Sequence, residues 1–271
     1  MNNTPNIDTL AAAFSGGLTL DQLRERMSGK PRTIAAPVQL TEQQREYQRA
    51  YFERIRQGKK YEAAPRQRIF RQEMPYQTAR EKFRLILEDR TKQIEIQKPG
   101  FKWVFSEADR VIWSNALKYF INDPSCIWPL TKGLFFYGGF GTGKTELFQM
   151  LERFCRENKL QKAFEFTSMS GEYVRARSEK EYDAVAPNVQ FDRVFDEVGR
   201  YTGTVNHYGN PIDLNEANFE ERYRRWQNYG QLTHIITNLD THGMEAHLSG
   251  MLFDRIRSMC TSVFFEGNSK R

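Results

Sequence analysis

Gly138-Gly139-Phe140-Gly141-Thr142-Gly143-Lys144-Thr145 fits the phosphate-loop pattern G-x-x-x-x-G-K-[ST], and it follows the apolar run Leu134-Phe135-Phe136-Tyr137, which reads as a buried strand. The glycines let the backbone turn tightly, so that successive N–H groups point inward, and the helix that starts at Lys144 directs its positive dipole end at the same place. Such a turn predicts a bound nucleoside triphosphate, held by Gly138 through Thr145 and by Glu146 in the first helical turn. Lys144 reaches the β and γ phosphates, and Thr145 supplies a hydroxyl to Mg²⁺.

Working outward, the chain alternates helices and short strands from about residue 101. Ser106 to Asn122 reads as a helix with Val111, Ile112, Leu117, Phe120 and Ile121 inward, and the loop helix runs to about Glu157 on Leu147, Met150, Leu151 and Phe154. Further strands are expected at Phe164 to Thr167, Val194 with Phe195, Leu232 to Thr237 and Ser262 to Glu266. This alternation predicts an α/β fold, a largely parallel sheet with helices on both faces. Tyr119 and Phe120 are candidates for an adenine pocket, with core packing as the alternative.

Upstream, Thr19 to Met27 is one short amphipathic candidate in an otherwise flexible lead-in. Thr41-Glu42-Gln43-Gln44 and Thr78-Ala79-Arg80-Glu81 both fit capping boxes. The second opens a helix with Phe83, Ile86 and Leu87 on its apolar side, before Pro99-Gly100 punctuates the chain. Two domains follow from this reading: a basic helical N-terminal partner-binding region, 1–100, and a nucleotide domain, 101–271.

Phe191 to Glu197 ends an apolar run in two adjacent carboxylates. Asp196 at a strand tip suits the water shell of Mg²⁺, and Glu197 beside it suits polarisation of an attacking water. Asn238, after Ile235-Ile236-Thr237, is placed to orient water or the γ-phosphate, although Asn is favoured at strand ends in any case. Arg255, within Asp254-Arg255-Ile256-Arg257, offers a guanidinium for charge that develops in phosphoryl transfer, and such a group is commonly supplied by a neighbouring subunit.

The order of these elements resembles the AAA+ ATPases, and within them the DnaC-like helicase loaders and the IstB-like transposition helpers. The resemblance rests on YGGFGTGKTEL at 137–147, VFDEVG at 194–199, HYGNPI at 207–212, RY at 222–223, IITNL at 235–239, LFDRIRSM at 252–259 and FFEGNSKR at 264–271, and it covers about residues 101–271. It implies a five-stranded parallel sheet flanked by helices, without a C-terminal helical lid, behind a helical N-terminal extension. It also implies ATP hydrolysis, with Lys144 and Thr145 as the Walker A pair and Asp196 and Glu197 as the Walker B pair. Asn238 becomes the sensor and Arg255 the finger on the ATP of the next subunit of a homo-oligomer.

Single-stranded DNA contact is expected from Ser168 to Arg177, where a short helix would present Tyr173, Arg175 and Arg177. The same spacing also suits a solvated helix that packs Tyr173 on the sheet. Three functional readings follow. The first is an ATP-dependent loader of a DnaB-like hexameric replicative helicase, released by hydrolysis. The others are an IstB-like regulator that binds duplex DNA and a transposase, and a nucleotide-dependent binding module without turnover.

Composition adds limits. Of 271 residues 39% are hydrophobic, enough for one α/β domain plus an appendage. No run approaches a membrane span and the N-terminus lacks a signal-peptide pattern, so a cytoplasmic protein is expected. Cys126, Cys155 and Cys260 are too sparse for a disulfide frame, and neither they nor the four histidines have zinc-ligand spacing. Residues 1–100 carry 19 Lys and Arg against 12 Asp and Glu, while 101–271 carry 21 against 22. The net charge of +6 therefore belongs to the N-terminal part. That surplus suits a phosphate backbone, an acidic protein surface or a solvated helix face.

Overall fold

In the computed structural model, the described residues are 42–43, 45–46, 68–178, 191–200, 204–207 and 210–265, with the side chains of 175–178, 207, 210 and 241 left aside. The Thr19 helix, most of the Thr41 helix and the FFEGNSKR tail beyond Phe265 lie outside them. The chain runs α1 (Tyr76–Gln97), α2 (Glu107–Phe120), β1 (Gly133–Gly138), α3 (Lys144–Glu157), β2 (Phe164–Ser168), α4 (Met169–Ser178), β3 (Asp192–Val198) and β4 (Thr204–His207). It continues through β5 (Asn210–Asp213), α5 (Leu214–Tyr229), β6 (Thr233–Thr237), α6 (Thr241–His247), α7 (Gly250–Met259) and β7 (Cys260–Phe265).

Five strands form one sheet in the order β2-β3-β6-β1-β7, with every pairing parallel. This is a parallel α/β core in which the phosphate loop follows β1, the strand between β6 and β7. Parallel neighbours need crossovers, and the crossover helices cover both faces, which is why the strands read as continuous apolar runs. Successive side chains alternate between two cores. Leu134, Phe136, Val194, Ile236 and Val263 join the core under α1, α2 and α3. Phe135, Phe195 and Ile235 join the one under α4 to α7. The β4–β5 hairpin is separate and antiparallel, and its Val205 and Ile212 extend the second core.

α1 belongs to the first core. Phe83 meets Trp113 and Phe154 edge-on at ring-centroid distances of 6.2 and 5.8 Å. Ala79, Phe83 and Ile86 are buried, Arg153 of α3 pairs with Asp89, and Lys82 donates to the Asn158 side chain at 2.6 Å. A division at residue 100 therefore cuts through a packed core, and Phe70, Met74 and α1 pack with α2, α3 and one face of the sheet. Arg68 donates to both Asp192 carboxylate oxygens at 2.6 and 2.7 Å, and Asp192 accepts the Leu232 N–H at 2.9 Å.

Two local readings are corrected, and the packing reading of Tyr119 and Phe120 holds. α1 starts at Tyr76 behind Pro75, not at the Thr78 box, because the Tyr76 ring is already engaged: its hydroxyl lies 2.8 Å from that of Ser114 and Lys118 sits over its face. Val111 is 47% exposed, one position off the inward stripe of α2. Tyr119 and Phe120 are wholly buried packing residues, with the Tyr119 hydroxyl donating to the Lys132 carbonyl at 2.6 Å.

Candidate functional site

The site assembles at the carboxyl ends of β1, β3 and β6. Gly138, Gly141 and Gly143 have φ of 136°, 76° and 97°, a region that β-carbon-bearing residues avoid. A β-carbon on Gly138 would lie 2.2 Å from the Phe265 carbonyl oxygen, so the loop leaves β1 hard against β7. The Thr142 hydroxyl donates to the Gly139 carbonyl at 3.1 Å and closes the turn. Lys144, 4% exposed, donates from Nζ to the carbonyls of Gly138 and Gly139 at 2.9 and 2.8 Å and to Thr142 Oγ1 at 3.2 Å. Phe140, at the loop apex, is exposed.

The loop meets the carboxylates through one bond. Thr145 Oγ1 donates to Asp196 Oδ2 at 3.0 Å, which joins the first turn of α3 to the end of β3. Burial raises the Asp196 pKa, against the Glu197 N–H and the Thr145 hydroxyl, which lower it. The pairing of β3 with β6 shifts register between Phe195 and Val198, and Glu197 takes a left-handed φ of 59°. This bulge keeps Asp196 inside while turning Glu197 toward the start of α4. There the Glu197 carboxylate accepts from the Ser170 hydroxyl, lies 3.4 Å from the Ser168 hydroxyl and pairs with Arg200. Burial pushes its pKa up, but these donors and the Arg200 charge outweigh burial and hold it below the usual carboxylate range.

Asn238 follows β6, the strand between β1 and β3, and is half-buried. Thr237 fixes that tip: its hydroxyl donates to the Val198 carbonyl at 2.7 Å and accepts the Leu239 N–H at 3.0 Å. Arg255 lies elsewhere, on α7. Its guanidinium donates to Glu220 Oε1 at 2.9 Å and sits 5.6 Å from the Tyr223 ring centroid. Among the described residues no hydrogen bond or ion pair links it to Thr145, Asp196 or Glu197.

Two further side chains near the site have partners on distant elements. The Glu146 carboxylate, in the first turn of α3, accepts both Nε and Nη2 of Arg90 at 2.8 Å. Tyr173 is not presented for DNA; it is 2% exposed in the second core, where its hydroxyl accepts from Asn215 Nδ2 at 3.1 Å, so the packing alternative holds. Sequence reasoning missed Ser168, Ser170, Arg200 and Arg90. Ser168, Ser170 and Arg90 have their partners on other elements, so no local spacing announced them, whereas Arg200 stands three positions after its partner Glu197.

The donor set fits a nucleotide and its cation: a glycine turn with close backbone approach, a buried ammonium, and a hydroxyl with a carboxylate at hydrogen-bond distance. Burial lowers the Lys144 pKa to about 8, opposed by the Asp196 charge. The ammonium is the form that attracts phosphate, and in the free protein it is depleted as pH rises through that value. ATP·Mg²⁺ affinity is therefore expected to fall by about fivefold from pH 8 to pH 9 in a fluorescent-nucleotide titration, because binding must restore the proton. A flat affinity up to pH 9.5 would remove Lys144 as the titrating contact.

The sequence matches no protein-family model and no curated protein. Among solved structures, a protein from Streptococcus pyogenes serotype M3 described as a primosome component is 17% identical over 62% of this chain and 85% of its own, with a TM-score of 0.46. DnaI is 15% identical over 73% of this chain and 94% of its own, with a TM-score of 0.45. The DnaC helicase loader is 16% identical over 61% of this chain and 94% of its own, with a TM-score of 0.41. No helix among the described residues is long and apolar enough to cross a membrane.

Proposed function

We propose that the chain is an ATPase of the helicase-loader kind, which grips a hexameric replicative helicase through its basic N-terminal region and is released by hydrolysis. The observation that carries the ATPase part is the Thr145–Asp196 hydrogen bond, which brings a hydroxyl and a carboxylate together beside the phosphate loop. Lys144 and the loop N–H groups would hold the triphosphate, and Thr145 and Asp196 would hold Mg²⁺. When bound, the cation neutralises charge on the β- and γ-phosphate oxygens. Glu197 accepts a proton from water at its carboxylate, and Asn238 orients that water. Arg255 acts on the site of a neighbouring copy.

The loader part rests on the order of motifs along the chain and on the surplus of Lys and Arg before residue 100. Arg175 and Arg177 on α4 are the proposed single-strand DNA contacts. The test is a pull-down with ATP·Mg²⁺ against the replicative helicase and a transposase from the same genome, using the full chain and a form lacking residues 1–67. The shorter form keeps Arg68 and α1 and is expected to bind ATP while losing the helicase. Capture of the transposase instead, or ATP-dependent filaments on duplex DNA, would turn the reading to a transposition helper.

A further inference from the structure

The first turn of α3 carries a negative side chain where a triphosphate would be received. Glu146 follows Thr145 directly, and a carboxylate there draws on the same positive helix end that attracts phosphate. Left alone, it would compete with an anionic ligand. Arg90 of α1 meets it with two parallel N–H···O bonds of 2.8 Å, a fork that fixes the carboxylate's direction as well as its charge. The two side chains are 33% and 32% exposed, so water screens the pair without dissolving it. α1 does not depend on this bond for its place, because Phe83, Ile86, Lys82 and Asp89 already hold it on α2 and α3.

We propose that Arg90 is a positioning residue of the phosphate site: by neutralising Glu146 and holding it toward α1, it keeps the helix N-terminus free for the triphosphate. The inference rests on the nucleotide-binding reading above. It also makes α1, the element that follows the N-terminal region, a part of the nucleotide site.

The test is a cycle of Arg90→Ala, Glu146→Gln and the double variant in the full chain, with ATP·Mg²⁺ affinity, turnover and melting temperature measured on each. Arg90→Ala is expected to weaken ATP by about fivefold, in KM rather than kcat, because it leaves the Glu146 charge unpaired at the helix end. Glu146→Gln removes the negative charge outright, so adding Arg90→Ala to it costs no more than about twofold, and the double variant recovers the affinity that Arg90→Ala alone loses. Arg90→Lys, which keeps charge without the fork, falls between. A purely structural role would lower the melting temperature of the double variant as much as that of Arg90→Ala and restore no affinity, and that outcome overturns the proposal. Equal ATP affinity in Arg90→Ala and wild type also overturns it. Wild-type protein that binds no ATP sinks the nucleotide reading itself, a result distinct from either.

Discussion

Glu197→Gln is expected to bind ATP·Mg²⁺ within about twofold of the wild-type affinity while losing turnover by about 100-fold or more, the range for a positioned general base. Binding survives because Glu197 makes none of the loop's contacts: Lys144 is held by Gly138, Gly139 and Thr142, and Thr145 is held by Asp196. Turnover fails because an amide cannot take a proton from water. The amide still receives the Ser170 hydroxyl, so the bulge at Glu197 and its strained φ need not relax. Filter binding with labelled ATP and a phosphate-release assay on the same preparation separate the two effects. Turnover equal to wild type would remove Glu197 from the mechanism; loss of binding would mean that it shapes the loop.

The sheet was legible because its strands are buried on both faces and end in residues with few uses elsewhere. Phe135 and Phe136 precede glycines that need positive φ, and Val194 and Phe195 precede a pair of carboxylates. The hairpin and the helix after it were not legible. β4 and β5 are four residues each, too short for an alternation to stand out. α5 buries Asn215, Asn218, Glu221, Arg222 and Arg225 beside its apolar residues, so no apolar stripe marks its face. Its arginines are paired: Arg222 donates to Thr233 Oγ1 at 2.7 Å and to the Phe191 carbonyl at 2.9 Å, and Arg225 donates to Glu221 at 2.8 Å. A buried arginine satisfied by distant backbone carries no local signature. The presentation of Tyr173 to DNA went wrong for the same reason: Asn215, which claims it, lies 42 positions away.

Arg255→Ala is expected to lower turnover by about 1000-fold, the effect of removing a guanidinium from phosphoryl transfer, with little change in ATP affinity. The proposed action of Arg255 is in trans. It sits on α7 between Glu220 and Tyr223 of α5, outside the cluster formed by the loop, Thr145, Asp196 and Glu197. A residue so placed completes a site only if a second copy brings its α7 to the first copy's phosphate loop. Wild-type turnover per subunit should then rise with protein concentration, and mixing Arg255→Ala with Lys144→Ala should restore activity that neither has alone. The restored interface pairs the intact loop of one copy with the intact arginine of the other. The mutant's own Glu220 and Tyr223 lose only a partly exposed partner, so melting temperature should shift little. Turnover independent of concentration, or full activity of Arg255→Ala alone, would sink the finger assignment and with it the homo-oligomer through the ATP site.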